Sequence, residues 1–381
     1  MTARSLGAAS AALRTQFFVT GALFATWGVH VPTVKAHYGL SEQSLALAML
    51  AAGVGALLAL AQAGRVIGRH GPRAVSAAMG LLCCAAIASL IALDDYAALL
   101  VIMLAFGMSA SLFDVAINAE ASEIEREAGR PLMSGFHGMF SLGGMCGAML
   151  GGLAPALGLT AQGHLLLAAG LGLAAILIAC PAMLPRPDAP AADDKHGLSL
   201  PRGPLLLLGV LACMGLIAEG ALYDWSVLFM KEERASAAAT AALAYASFSG
   251  AMAAGRFGGD WVRARIAAPR LLRASGVLAA AGMTLALAMP SAWVSLLGFT
   301  VVGLGLSNVV PVLFSAASRV PGVSPAHGIA AVSGVGYLGM MAGPPLIGLI
   351  AEHTTLATGL LVVVAFAMFM AVSARRALAV A

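Results

Sequence analysis

Charged side chains are scarce in this chain. Only 10% of its 381 residues are Asp, Glu, Lys or Arg, while 60% are hydrophobic. Soluble domains carry roughly 25% charge, so the polar surface needed to fold in water is missing and a lipid bilayer is the expected solvent. The formal net charge of +4 is too slight to suggest a nucleic-acid partner. Cysteine is also sparse. Cys83, Cys84, Cys146, Cys180 and Cys213 all lie in apolar runs without His or Cys at metal-ligand spacing, which reads as small hydrophobes in helices. No Gly-rich phosphate loop, metal-ligand cluster or nucleophile–base constellation is visible, so no enzyme, catalytic residue, metal or cofactor is expected. A secretory leader is not apparent either, because the apolar run after Arg14 continues into a full-length span.

Long apolar runs are what the chain has in abundance. A membrane helix needs about 20 apolar residues, and such runs fall at roughly 14–35, 44–64, 73–93, 97–119, 132–156 and 163–184, then at roughly 204–230, 236–257, 269–289, 292–317, 325–350 and 354–374. The expected fold is therefore an all-α membrane protein. Its twelve transmembrane helices form two six-helix bundles, 1–184 and 204–381, joined by a Pro-rich polar linker at 185–203. With the N-terminus in the cytoplasm, all but Lys35, Lys231 and Arg234 of the 21 lysines and arginines fall on the inner side. That asymmetry obeys the positive-inside rule. A missed or extra span would scramble it, so it supports the count and places both termini in the cytoplasm of a bacterial inner membrane.

The halves repeat one another. An offset of about 196 residues pairs Gly138, Leu142, Gly143, Met145, Gly147 and Gly152 with Gly334, Leu338, Gly339, Met341, Gly343 and Gly348. Two parallel six-helix repeats around a central cavity form a transporter layout.

The stretch Gly64-Arg65-Val66-Ile67-Gly68-Arg69-His70-Gly71-Pro72-Arg73 resembles the cytoplasmic-loop motif of the major facilitator superfamily, Gly-x-x-x-Asp-Arg-x-Gly-Arg-Arg, with Gly68 at the acidic position. The related stretch Gly255-Arg256-Phe257-Gly258-Gly259-Asp260 keeps an acid at Asp260. A narrower resemblance is to the fucose permease-like branch, which carries Glu-x-x-x-Asn on its fourth helix. Asp114 and Asn118 have that spacing, and Thr26-Trp27-Gly28 echoes the branch's first-helix Leu-Trp-Gly. The branch's first-helix aspartate has no counterpart here. The resemblance implies that Asp114 and Asn118 line a sugar cavity and that the acid takes part in proton coupling.

The residues carry their own argument. Asp114 lies deep in the fourth span, where a carboxylate costs roughly 2.5–3.5 kcal/mol on insertion scales. It therefore calls for a polar cavity, a ligand or a proton. Asn118 is one helical turn away on the same face, and the repeat places Val310 and Phe314 at the matching positions, so the pair belongs to one half alone. The alternative is a structural polar pair. Glu219 and Tyr223 share a face of the seventh span, and Glu219 is the deeper acid there. Burial disfavours the charged form of a carboxylate, which makes such groups candidates for proton coupling.

Asp224 lies nearer the outer end, where it can gate or pair with Lys35 or Arg234. His137 and His30 are further titratable groups, each with a merely hydrogen-bonded alternative. Trp27, Tyr223, Trp225 and Tyr337 are candidates for an aromatic cavity wall or for interfacial anchors. Asn308 adds a polar group on the tenth span. Lys35, Arg69, Glu123 and Asp260 are candidate gate charges, with Glu123 expected to neutralise Arg69, Arg126 or Arg130.

These readings converge on a secondary active transporter working by alternating access. Its expected partners are a small polar solute such as a sugar, protons and the bilayer, with a monomer as the expected state. Gly143-x-x-x-Gly147-Ala148-x-x-Gly151-Gly152 resembles the antiporter motif, with Ala148 where the motif has proline. That favours the alternative of proton-driven export of drugs or metabolites. A lipid flippase or a transporter-like sensor is a more distant possibility.

Overall fold

In the computed structural model, residues 3–130, 132–184, 202–321, 323 and 325–379 are described. The expected linker lies outside the described residues from 185 to 201. The first bundle consists of α1 (Ala3–Tyr38), α2 (Glu42–His70), α3 (Pro72–Ser89), α4 (Tyr96–Ala128), α5 (Met133–Leu153) and α6 (Ala161–Ala179). The second consists of α7 (Pro204–Glu232), α8 (Ala238–Phe257), a short α9 (Gly259–Arg263), α10 (Ala268–Ala288), α11 (Ala292–Leu306), α12 (Val309–Ala317), α13 (Pro325–His353) and α14 (Leu356–Leu378).

Eleven helical segments are long and apolar enough to span a bilayer, with α11 and α12 together making one of them. The twelfth is α8, whose 20 residues match the eighth expected span. α1 begins and α14 ends on the same face, called here the terminal side.

Local signals set the helix ends. Ser41 and Asp95 cap α2 and α4 by accepting from the amides of Ser44 and Ala98. α4 stops at Gly129, whose φ of +62° is a left-handed conformation that glycine adopts without a Cβ clash. The tenth span departs from expectation by breaking into α11 and α12 at Ser307-Asn308. Pro311 accounts for the break, since a proline clashes with the carbonyl four residues earlier, here that of Ser307.

Packing follows the repeat. In the first bundle Gly143 and Gly147 of α5 lie directly on the backbone of α1 at Phe18 and Ala22. In the second, Gly339 of α13 lies on the backbone of α7 at Cys213, and Gly343 faces Ile217. Small residues at these positions let backbones approach closely where apolar burial alone supplies no driving force in lipid.

Between the bundles, α5 packs on α8, α2 on α13 and α1 on α7. Trp261 in α9 and Trp293 at the start of α11 are largely exposed, near opposite ends of the bundle, as expected of aromatic anchors at the two bilayer interfaces.

Candidate functional site

The polar residues of the interior gather where the bundles meet. On α4, the Asn118 amide donates to Asp114 Oδ1 at 3.0 Å and to the Asp114 carbonyl at 2.9 Å. Both side chains are part-exposed. Tyr337 of α13, from the other bundle, lies within electrostatic range of Asp114 and is 40% exposed. Among the described residues, Asp114 has no cationic partner.

Glu219 sits differently. Arg256 of α8 donates from Nη2 to Glu219 Oε1 at 2.9 Å and from Nη1 to Ser141 Oγ at 2.7 Å. Both charged side chains are nearly enclosed, at 8% and 12% exposure. Ser249 Oγ donates to the Ser141 carbonyl at 2.8 Å. The ion pair therefore joins α7 and α8 of one bundle to α5 of the other, with His137 of α5 within range of Arg256. Counting Arg256 with the inner-loop charges is thus corrected: α8 runs to Phe257, and the guanidinium turns into the protein.

Aromatic rings run through the same region, from α4 across α1 and α5 to α7 and α8. Phe106 of α4 meets Phe24 of α1 at 5.4 Å, and Phe24 meets Phe140 of α5 at 5.9 Å. Phe140 meets Tyr223 of α7 at 6.4 Å, edge to face. Tyr223 then packs on Tyr245 and Phe248 of α8 at 4.9 and 5.1 Å. The run crosses from one bundle to the other.

Tyr223 and Tyr337 were expected in such a wall. Trp225 is instead fully buried beside Gly348 of α13, neither lining the site nor anchoring in lipid. Asn308 lies at the α11–α12 break, where its amide donates to Ser307 Oγ at 3.1 Å and approaches the Gly255 carbonyl.

On the side opposite the termini, charged and polar ties close the bundles together. Lys35 Nζ lies 2.7 Å from both Glu42 of its own bundle and Glu232 of the other. The backbone N–H of Gln43 donates to Glu352 Oε2 at 3.0 Å. Trp27 Nε1 donates to Asp224 Oδ1 at 3.2 Å, so Asp224 pairs with neither Lys35 nor Arg234. Arg234 lies over the Phe229 ring and bonds Ser295 and two carbonyls of α10.

The remaining expected gate residues pair within their own bundles. His30 Nε2 meets His164 Nδ1 of α6 at 2.9 Å within one bundle. Glu123 pairs with Arg126, not with Arg69, which is exposed at the end of α2. Asp260 pairs with Arg263, and Arg263 reaches Ser134 of α5 at 3.2 Å.

Sequence reasoning missed Arg256, Ser141, Phe24, Phe140 and His164. A signal existed for Arg256, because a buried Glu219 requires a cation or donor and Arg256 lies at the end of the next helix. The phenylalanines carry no such signal in a chain this apolar.

Comparison with known proteins bears on the whole chain. The description of the Major Facilitator Superfamily matches residues 15–344. An uncharacterized MFS-type transporter of Yersinia pestis is 34% identical over 365 residues, covering 95% of this chain and 94% of that protein. Membrane protein MosC of Rhizobium meliloti is 33% identical, covering 94% and 88%. Among solved structures, a bacterial homolog of the human lysosomal transporter Spinster superposes with a TM-score of 0.76 at 13% identity, covering 100% and 98%.

Proposed function

The chain belongs to the Major Facilitator Superfamily, and from that premise we propose that it takes up a small polar solute, such as a sugar or sugar derivative, together with protons. The observation that carries the reading is the unequal partnering of the interior acids. Glu219 has its cation in Arg256, whereas Asp114 has only the Asn118 amide and Asp224 only the Trp27 indole. An intramembrane carboxylate without a cation is neutralised most cheaply by a proton, so the coupling role goes to Asp114, with Asp224 as the second site. Glu219, placed by the sequence among the coupling acids, is reassigned to holding Arg256.

The part-exposed Asp114–Asn118 pair, with Tyr337 of the other bundle in range of Asp114, suits a ligand that offers hydroxyls on one side and a C–H face on the other. The Glu-x-x-x-Asn resemblance to the fucose permease-like branch agrees with this. The glycines behind the export alternative have a packing role, seating α5 on α1 and α8, so the motif adds little weight to export.

Charge placement supports an orientation with the termini in the cytoplasm and the Lys35 ties at the outer face. The test is ligand binding to the purified protein. A panel of neutral monosaccharides and amino sugars, followed by thermal shift at two pH values, is expected to give at least one ligand that stabilises wild type and fails to stabilise Asn118→Ala. Stabilisation by lipophilic drugs alone would overturn the reading in favour of export.

A further inference from the structure

The bundles are joined differently on their two sides. Opposite the termini, the ties run from α1 and α2 to α7 and α13. On the terminal-side half, the hydrogen bonds between bundles among the described residues all reach α5. Arg263 donates to Ser134 Oγ, Arg256 to Ser141 Oγ, and Ser249 to the Ser141 carbonyl. A motion that parts the bundles on this half draws Ser141 away from the Arg256 guanidinium. Glu219 travels with Arg256, since α7 and α8 belong to one bundle, so Nη2 stays paired. The other arm, Nη1, loses its acceptor in a side chain only 12% exposed. A buried donor left unsatisfied costs the full desolvation of that group, and more when it is charged.

A replacement acceptor stands beside it. The Tyr223 hydroxyl is buried and, among the described residues, has no hydrogen-bond partner. It lies in interaction range of Arg256, Ser141 and Ser249. Buried hydroxyls in folded proteins are normally partnered, so an idle one beside a cross-bundle tie calls for a reason. The Tyr223 ring packs on Tyr245 and Phe248 of its own bundle at 4.9 and 5.1 Å, and meets Phe140 of the other bundle more distantly, at 6.4 Å. Tyr223 therefore stays with Arg256 when α5 moves off.

We propose that Tyr223 is a positioning residue for transport: its hydroxyl accepts Arg256 Nη1 when Ser141 withdraws. The guanidinium then exchanges an acceptor on the first bundle for one on its own, and the ion pair with Glu219 is kept throughout. The exchange lowers the cost of parting the bundles without weakening the tie while they are closed. It concerns the motion alone and is independent of which solute or ion is carried.

The experiment measures the distance between spin labels at Arg130→Cys and Arg265→Cys in the full chain, by double electron–electron resonance and without solute. Both positions are exposed, on turns flanking α5 and α9 at the terminal side. None of the five native cysteines is exposed, so the labels report these two sites. Wild type is expected to show a shorter, tied distance and a longer, parted one. Ser141→Ala removes the tie and should shift the population toward the longer distance. Tyr223→Phe removes only the replacement acceptor and should shift it the opposite way, by about tenfold in the ratio, the worth of one hydrogen bond to a charged group. A hydroxyl with a merely structural role, already without a partner, would leave the distances unchanged. A Tyr223→Phe distribution that matches wild type, or that shifts in the same direction as Ser141→Ala, overturns the proposal. A single distance in all three proteins overturns it as well.

Discussion

Asp114 and Glu219 are both carboxylates within membrane spans, and the residues around them give them different work. Asp114 meets an amide one turn away, while Glu219 meets a guanidinium from the next helix. An enclosed ion pair costs a great deal when half is removed, about 3–5 kcal/mol, because the survivor is an uncompensated charge. Arg256→Met is therefore expected to lower the unfolding midpoint in detergent sharply, and Arg256→Met with Glu219→Leu to recover much of the loss. Additive losses would contradict the pairing.

The acids themselves were legible in the sequence, since a carboxylate in an apolar span stands out. Asn118, the partner of Asp114, was legible as well, one turn away on the same helix; the partners of Glu219 and Asp224 were not placed. Arg256 lies one residue from the end of α8, where sequence cannot tell an arginine facing water from one turned inward. The Asp224–Trp27 contact joins residues nearly two hundred positions apart and depends on how the bundles dock.

The helices were read from sequence in number and order, because about 20 apolar residues between charged turns is a strong signal, while α1, from Ala3, and α4, to Ala128, run well past the expected ends. The exception was the tenth span, where Pro311 breaks the helix at a point hydropathy does not register. The glycine repeat was visible as a register match between the halves, but its meaning required the packing. Gly143 and Gly339 each sit against the backbone of the first helix of their own bundle. A Cβ at Gly143 would come about as close as 3.0 Å to the Phe18 Cα and closer still to its carbonyl. Gly143→Ala is expected to cost about 1–3 kcal/mol through overpacking. Gly170→Ala, which meets nothing within 4 Å, should leave the thermal midpoint unchanged. Equal effects at the two sites would show that α5 does not rest on α1 in this way.

Across the whole molecule, the bundles are tied on the side opposite the termini through Lys35–Glu232 and Gln43–Glu352, and the Asp114 side chain is part-exposed. If alternating access requires these ties to part, a disulfide between Gln43→Cys and Glu352→Cys should stop transport, and reductant should restore it. Undiminished transport in the oxidised protein would mean that this side does not open. The central claim is that Asp114 carries the coupled proton, and charge movement tests it most directly. Proteoliposomes of wild type and Asp114→Asn are adsorbed to a solid-supported membrane and challenged with the monosaccharides that stabilise the protein. Wild type should give a solute-triggered current that grows with an imposed proton gradient, and Asp114→Asn should bind the solute without giving that current. A gradient-dependent current of wild-type size from Asp114→Asn would contradict the account.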